Sequence, residues 1–121
     1  MESLESKLRP GANILDIGCG SGYLCATFYE LCKNQTDGRA SIYGIEHVED
    51  LCEFSRVNLR KSYSQQLNDG SIKIICGDGR MGYAQGAPYD AIHVGAVSEQ
   101  IPQALLDQLK PGGLLVLPIG P

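Results

Sequence analysis

The chain has 121 residues, of which 43% are hydrophobic and 20% charged, and its formal net charge at pH 7 is −4. This length suits a single domain spanning residues 1–121, and the acidic balance argues against non-specific binding to nucleic acid, which needs a basic surface. No apolar run approaches the roughly 18 residues that a membrane span requires, so neither nucleic acid nor a membrane is an expected partner.

Cysteine and histidine usage argues against metal sites and disulfides. The five cysteines form no C-x-x-C pair, and they lie at positions 19, 25, 32, 52 and 76. An odd number without such a pair indicates neither a zinc site nor a closed disulfide set. His47 and His93 form no H-x-x-x-H pair, so no metal is expected. Glu2 and Glu5 stand where an export signal would be basic and then apolar, and the sequence predicts a cytoplasmic protein with reduced thiols.

Strand and helix signals alternate along the chain without a long linker. Five short segments are rich in apolar or β-branched residues and are bounded by Gly, Pro or Asp, as is typical of strands. They are Asn13–Ile17, Ser41–Glu46, Ser71–Cys76, Tyr89–Val94 and Leu114–Ile119. Several are almost continuously apolar, as parallel strands covered on both faces should be.

The connecting segments carry helical spacing. Leu24, Phe28 and Leu31 recur at i, i+4 and i+7, which predicts a core-facing helix whose apolar stripe Cys25 and Cys32 widen. Two further helices are marked by Leu51, Phe54 and Ser55, and by Ile101, Leu105 and Leu109, the last ending at Lys110-Pro111-Gly112. The stretch GDGRMGYAQGA holds four glycines and is expected to be a loop.

This alternation predicts an α/β fold, namely a Rossmann-like, doubly wound, mainly parallel sheet that ends after the fifth strand. In such a sheet, ligands bind at the carboxyl ends of the strands, near the point where the strand order reverses. The notable polar loops of this sequence each follow such an end, so we expect them to face one ligand.

The stretch NILDIGCGSGYL places Gly18, Gly20 and Gly22 directly after the first strand. Glycines allow a sharp turn and a close approach to a ligand, and the helix that follows can offer free N–H groups to an anionic group. The dinucleotide fingerprint G-x-G-x-x-G needs a small third residue, but Tyr23 stands there in one frame and Cys25 in the other. A nicotinamide cofactor is therefore the least favoured.

Acidic residues follow the next two strands. Glu46 can accept hydrogen bonds from both hydroxyls of a ribose, whereas His47 beside it either lines the site or lies on the surface. Asp78 stands between Gly77 and Gly79, where it is either a turn residue or a ligand-binding carboxylate.

An Asp at the end of the first strand followed by G-x-G-x-G resembles the first motif of S-adenosylmethionine-dependent methyltransferases. With GIEH, GDGRMGYAQGAPYDAIHVGA and IPQALLDQLKPGGLLVLPIGP, the chain resembles the protein-L-isoaspartate O-methyltransferase family from about Leu8 to Pro121. The resemblance implies the class I methyltransferase fold and S-adenosylmethionine as cofactor. It also implies isoaspartyl residues of damaged proteins as substrate, methylated on their α-carboxylate as a step of repair.

The resemblance assigns cofactor binding to residues of three loops: Gly18, Gly20, Ser21, Gly22, Glu46, His47, Gly77 and Asp78. Asp78 would meet the adenine amino group, with Gly77 alongside. The implied reaction needs no nucleophilic residue, because the substrate carboxylate is ionised at pH 7, so no catalytic residue is predicted. Asp16 is expected to orient the glycine loop, His93 to be a buried histidine with satisfied hydrogen bonds, and Asp90 to be structural.

The family has a segment with Ser and His upstream of the first strand and further strands after LPIGP, whereas here ten residues precede Gly11 and the sequence ends at Pro121. We therefore expect a truncated chain, incomplete at both ends, that binds cofactor weakly, transfers methyl groups poorly or not at all, and tends to associate through the uncapped strand LLVLPI. Two alternatives stay open: another S-adenosylmethionine-dependent methyltransferase on the same scaffold, and an inactive cofactor-binding fragment.

Overall fold

The computed structural model describes residues 4–95 and 101–117. Within them, one sheet is formed by β1 (Asn13–Ile17), β2 (Ser41–Glu46), β3 (Ile72–Cys76), β4 (Tyr89–Val94) and β5 (Leu109–Val116). The strand order is β3-β2-β1-β4-β5, and every neighbouring pair is parallel. The order reverses between β1 and β4, which is where such a sheet binds ligands. The predicted Rossmann-like, mainly parallel sheet is confirmed.

The helices lie on both faces of this sheet. They are α1 (Leu4–Lys7), α2 (Tyr23–Cys32), α3 (Glu49–Asp69) and α4 (Gln103–Asp107). The glycine-rich segment between β3 and β4 contains only two short 3₁₀ turns, Gly79–Met81 and Ala84–Gly86, as the sequence predicts for a loop. Among the described helices, none is long and apolar enough to cross a membrane.

The predicted core face of α2 is wrong at one position. Leu31 is 49% exposed, whereas Tyr29 is buried, so the stripe toward the sheet is made of Cys25, Phe28, Tyr29 and Cys32. Tyrosine can be buried when its hydroxyl has a partner, and here the Tyr29 hydroxyl donates to the carbonyl of Gly38.

The predicted boundary between the last helix and strand is also wrong. The helix ends at Asp107, and Leu109 begins β5 instead of continuing the helix. The Tyr89 N–H donates to the Gln108 carbonyl at 2.8 Å, and Leu109 pairs with Tyr89 before the register shifts near Ala91. Pairing with β4 therefore extends the strand toward its amino end. The part of the predicted strand beyond residue 117 lies outside the described residues.

The two faces of the sheet carry separate cores. Adjacent residues Ile14 and Leu15, both fully buried, point to opposite faces because side chains alternate along a strand. Ile14 packs with Phe28 beneath α2 and α3, while Leu15 packs with Leu105 of α4. Coverage on both faces explains the apolar strand sequences.

Asp90 joins three strands at the amino end of the sheet. Its Oδ2 accepts the backbone N–H of Asn13 in β1 at 2.8 Å and the Lys110 ammonium in β5 at 2.9 Å. Burial by itself would raise the pKa of Asp90, but these two partners outweigh it and hold the pKa below the ordinary value of 3.8. The ionised form of Asp90 therefore stabilises the fold.

This ion pair should make stability depend on pH. Because the folded-state pKa of Asp90 is depressed, its contribution is complete above the unfolded-state value and is lost as the pH falls through the folded-state value. We expect Asp90→Asn to be less stable than the wild type at neutral pH, and the difference in free energy of unfolding to shrink below about pH 3.8. Urea unfolding of both proteins across this range measures it, and a pH-independent difference would contradict the expectation.

Candidate functional site

The carboxyl ends of β1 to β4 surround a cavity of about 970 Å³. Five of the predicted site residues line it: Gly18, Glu46, His47, Gly77 and Asp78. Residues of the loops after separate strands thus meet at one edge of the sheet, while their binding of one ligand stays a prediction. The position matches the ligand site of open parallel sheets, beside the point where the strand order reverses.

Apolar side chains form much of the remaining wall. They are Ile17, Ile45, Val48, Leu51, Val94 and Leu105. Val48 and Leu51 were not predicted as site residues, although they stand three residues apart, on either side of the first residue of α3, soon after Glu46. An apolar cavity with a few converging polar groups is typical of small-molecule sites.

Glu46 is the most buried polar residue among those predicted to bind the cofactor, with 4% of its surface exposed. Its Oε1 accepts the N–H of Gly20 at 3.0 Å, and its Oε2 accepts the N–H groups of His47 and Val48 at 3.0 and 3.2 Å. A carboxylate has about four acceptor positions, so one remains on Oε1. Glu46 therefore both holds the glycine loop and keeps one acceptor for a ligand.

The glycine loop is held on the end of β2. The N–H groups of Gly18 and Cys19 donate to the carbonyl of Ile45 at 2.7 and 3.2 Å. Ser21 is exposed, and its Oγ lies 3.4 Å from the Tyr23 N–H at the start of α2. Gly22, the residue before α2, is buried and left-handed, so it shapes the turn, and it does not line the cavity.

A buried carboxylate lies next to this loop. Asp16 is 1% exposed, and its Oδ1 lies 2.9 Å from Nδ1 of His93, while its Oδ2 accepts from Sγ of Cys25 at 3.5 Å. The His93 ring also meets the edge of Phe28, with the ring centroids 6.0 Å apart. His93 is therefore a partnered histidine, though it is half-buried rather than buried.

Asp78 is paired within its own loop. Its Oδ1 accepts the backbone N–H and Nε of Arg80 at 2.9 and 3.1 Å, and its Oδ2 accepts Nη2 at 3.0 Å. These hydrogen bonds hold the pKa of Asp78 below its usual value. The carboxylate is thus ionised at neutral pH, with one acceptor position left on Oδ2.

Arg80 was missed by the sequence reasoning, although it stands two residues after Asp78 and lines the cavity. Gln108 was also missed, and no local signal marks it, because its partners Met81 and Tyr83 belong to a distant segment. Within residues 4–95 and 101–117, no group of three or more His, Cys, Asp or Glu side chains could hold a metal ion.

Comparison with known proteins shows a family match over the whole sequence. The family described as Protein-L-isoaspartate(D-aspartate) O-methyltransferase (PCMT) matches residues 1–121. The chain is 49% identical over 121 residues to protein-L-isoaspartate O-methyltransferase 1 of Arabidopsis thaliana, covering 99% of this chain and 51% of that one. It is 47% identical over 120 residues to the protein-L-isoaspartate O-methyltransferase of Caenorhabditis elegans, covering 98% and 51%.

A solved structure shares the fold. A Plasmodium falciparum protein assigned as a protein-L-isoaspartate O-methyltransferase, crystallised with S-adenosyl-L-homocysteine, matches with a TM-score of 0.84 and 31% identity, over 98% of this chain and 56% of that one. The class I methyltransferase fold is thereby confirmed. The chain spans about half the length of the curated relatives it matches.

Proposed function

The chain belongs to the protein-L-isoaspartate(D-aspartate) O-methyltransferase family, and we propose that it binds S-adenosylmethionine in the cavity and serves methyl transfer to isoaspartyl residues of damaged proteins. One observation carries the proposal. Glu46 and Asp78, at the tips of neighbouring strands, line one apolar cavity together with Gly18, the first residue of the glycine loop. Each carboxylate keeps one acceptor position after its internal hydrogen bonds are counted.

The residues present fit an adenosyl group. The free position on Glu46 Oε1 would accept one ribose hydroxyl, and that on Asp78 Oδ2 would accept from the adenine amino group. Apolar residues of the wall, among them Val48 and Leu51, would contact the flat ring. A Cβ built on Gly20 meets no atom within 4 Å, so the loop leaves open space for the amino-acid end of the cofactor.

In the proposed reaction, this chain binds the cofactor and aligns it with the substrate. When bound, S-adenosylmethionine supplies an electrophilic methyl group on a sulfonium. Glu46 and Asp78 hold the nucleoside, while hydrogen bonds from the glycine loop to Ile45 and Glu46 keep that loop in place. The substrate carboxylate is already ionised at pH 7, so no side chain of this chain has to remove a proton. The rate acceleration then comes from holding the two reactants in alignment.

We also propose that residues 1–121 form one domain of a cytoplasmic protein. Two cores on opposite faces of one sheet support a single folding unit. All five cysteines are free thiols, four of them buried, which suits a reducing compartment.

A peptide pair tests the proposed activity. The 121-residue chain is incubated with methyl-tritiated S-adenosylmethionine and a peptide that contains one isoaspartyl residue, or the same peptide with normal aspartate. We expect base-labile label, released as methanol, on the isoaspartyl peptide only. Equal labelling of both peptides would overturn the substrate class.

Calorimetry with S-adenosylhomocysteine separates binding from transfer. Heat of binding without labelling of either peptide would support the proposed cofactor binding and would overturn the proposed methyl transfer by this chain. No heat of binding would overturn the cofactor proposal itself.

A further inference from the structure

Gln108 joins the end of α4 to the loop that carries Asp78. Its Oε1 accepts the backbone N–H of Tyr83 at 2.9 Å, and its Nε2 donates to the carbonyl of Met81 at 3.0 Å. Its own carbonyl accepts the Tyr89 N–H of β4 at 2.8 Å. One amide side chain, fixed on the sheet through its backbone, thus holds the loop on both sides of Gly82.

The loop is shaped to receive this amide. A Cβ built on Gly82 would lie 2.3 Å from Oε1 and 2.8 Å from Cδ of Gln108, so a side chain there would displace the Gln108 amide. Elsewhere along the loop, a Cβ built on Gly79 would lie 2.4 Å from Cγ2 of Ile17. The 3₁₀ turn Gly79–Met81 is therefore held by close contact with the end of β1 and by hydrogen bonds to Gln108.

We propose that Gln108 is a positioning residue that aims the Asp78 carboxylate at the adenine amino group. The inference rests on the proposed function, because it concerns the same cofactor site. Asp78 begins the turn, since its carbonyl accepts the Met81 N–H at 3.1 Å and its Oδ1 accepts the Arg80 N–H at 2.9 Å. Holding the Met81 carbonyl fixes the direction of the turn, and with it the free acceptor position on Oδ2.

The position of the Asp78 carboxylate can be tested by comparing the affinities of two ligands that differ at one group. S-adenosylhomocysteine carries the adenine amino group, whereas S-inosylhomocysteine carries a carbonyl oxygen there, which Asp78 cannot bind. We expect the wild type to prefer the first ligand by about tenfold or more. Gln108→Leu should lose about tenfold in affinity for S-adenosylhomocysteine and little for the inosyl ligand, so the preference largely disappears.

Gln103→Leu is the matched control at the first residue of α4, because Gln103 donates to Asp107 at 2.9 Å and not to the loop, and it should keep the preference. If Gln108→Leu does not fold, Gln108→Glu keeps the acceptor for Tyr83 but loses the donor to Met81, and it should also lose the preference. In an Asp78→Ala background, Gln108→Leu should change the preference no further.

Each contrary result has a distinct meaning. Equal weakening of both ligands in a folded Gln108 variant would make Gln108 merely structural and overturn its positioning role, as would a further loss of preference in the Asp78→Ala background. An unchanged preference in the folded variant would overturn it as well. A wild type that binds neither ligand would instead overturn the proposed function.

Discussion

Replacement of Glu46 with alanine is expected to weaken S-adenosylhomocysteine binding by about 1.5–3 kcal/mol, roughly ten- to a hundredfold. The variant loses the acceptor proposed for the ribose hydroxyl. It also releases the Gly20 N–H, which Oε1 accepts at 3.0 Å, so the glycine loop keeps only its hydrogen bonds to the Ile45 carbonyl of β2. Titration calorimetry of the wild type and the variant measures the change in Kd.

Glu46→Gln tests the carboxylate of this residue separately from the size of its side chain. In Glu46→Gln the side-chain amide must place an NH₂ group against at least one of the three backbone N–H donors, so we expect a loss nearly as large. Glu53→Ala is the control, since that side chain is 60% exposed on α3 and should leave Kd unchanged. An unaltered Kd in Glu46→Ala would remove Glu46 from the site.

Replacement of Gly22 with alanine is expected to lower the free energy of unfolding by roughly 2–4 kcal/mol, from left-handed backbone strain and overpacking together. Gly22 has a φ of +84°, and a Cβ there would lie 3.1 Å from Cδ1 of Leu59 and 3.3 Å from Cβ of Ser55. Relief would require the Leu59 side chain and the α3 backbone near Ser55 to shift away from the added methyl group. Urea unfolding of the chain without ligand measures the loss.

Gly20→Ala is the matched comparison within the same loop. Gly20 has a φ of +54° and no atom within 4 Å of a built Cβ, so only the backbone strain of about 1–2 kcal/mol applies. Its methyl group would, however, enter the space proposed for the cofactor. We expect Gly22→Ala to cost more stability and Gly20→Ala to weaken cofactor binding in a protein that remains folded. Equal losses of stability would contradict the packing argument at Gly22.

Much of the sheet could be predicted because strand signals are local. Asn13–Ile17 and Ser41–Glu46 have the predicted bounds, since continuous apolar runs bounded by turn residues suit strands buried on both faces. The face of α2 could not be assigned fully. Leu31 is the more apolar residue, yet Tyr29 is buried, because its hydroxyl finds the Gly38 carbonyl, and residue spacing does not reveal such a partner.

Some residues of the candidate site could likewise be predicted from the sequence, and others could not. The glycine loop and the acids at Glu46 and Asp78 are visible in the sequence, because a residue at the tip of a strand is placed by its local segment. Arg80 is equally local but carries no signal of its own, since an exposed arginine in a loop is ordinary. Gln108 was out of reach of local reasoning, because its partners are 25 and 27 residues away.

The succession of strands and helices along the chain, the residue types at the strand tips and the resemblance to one family can all be read from the amino-acid sequence. The groups that hydrogen-bond to the side chains at the strand tips are known only from the folded structure. The Gly20 N–H takes one position on Glu46 across 26 residues, and His93 meets Asp16 across 77. Hydrogen bonds between distant segments depend on how the strands align, and no local pattern encodes that alignment, so the number of acceptors left for a ligand could be counted only in the folded chain.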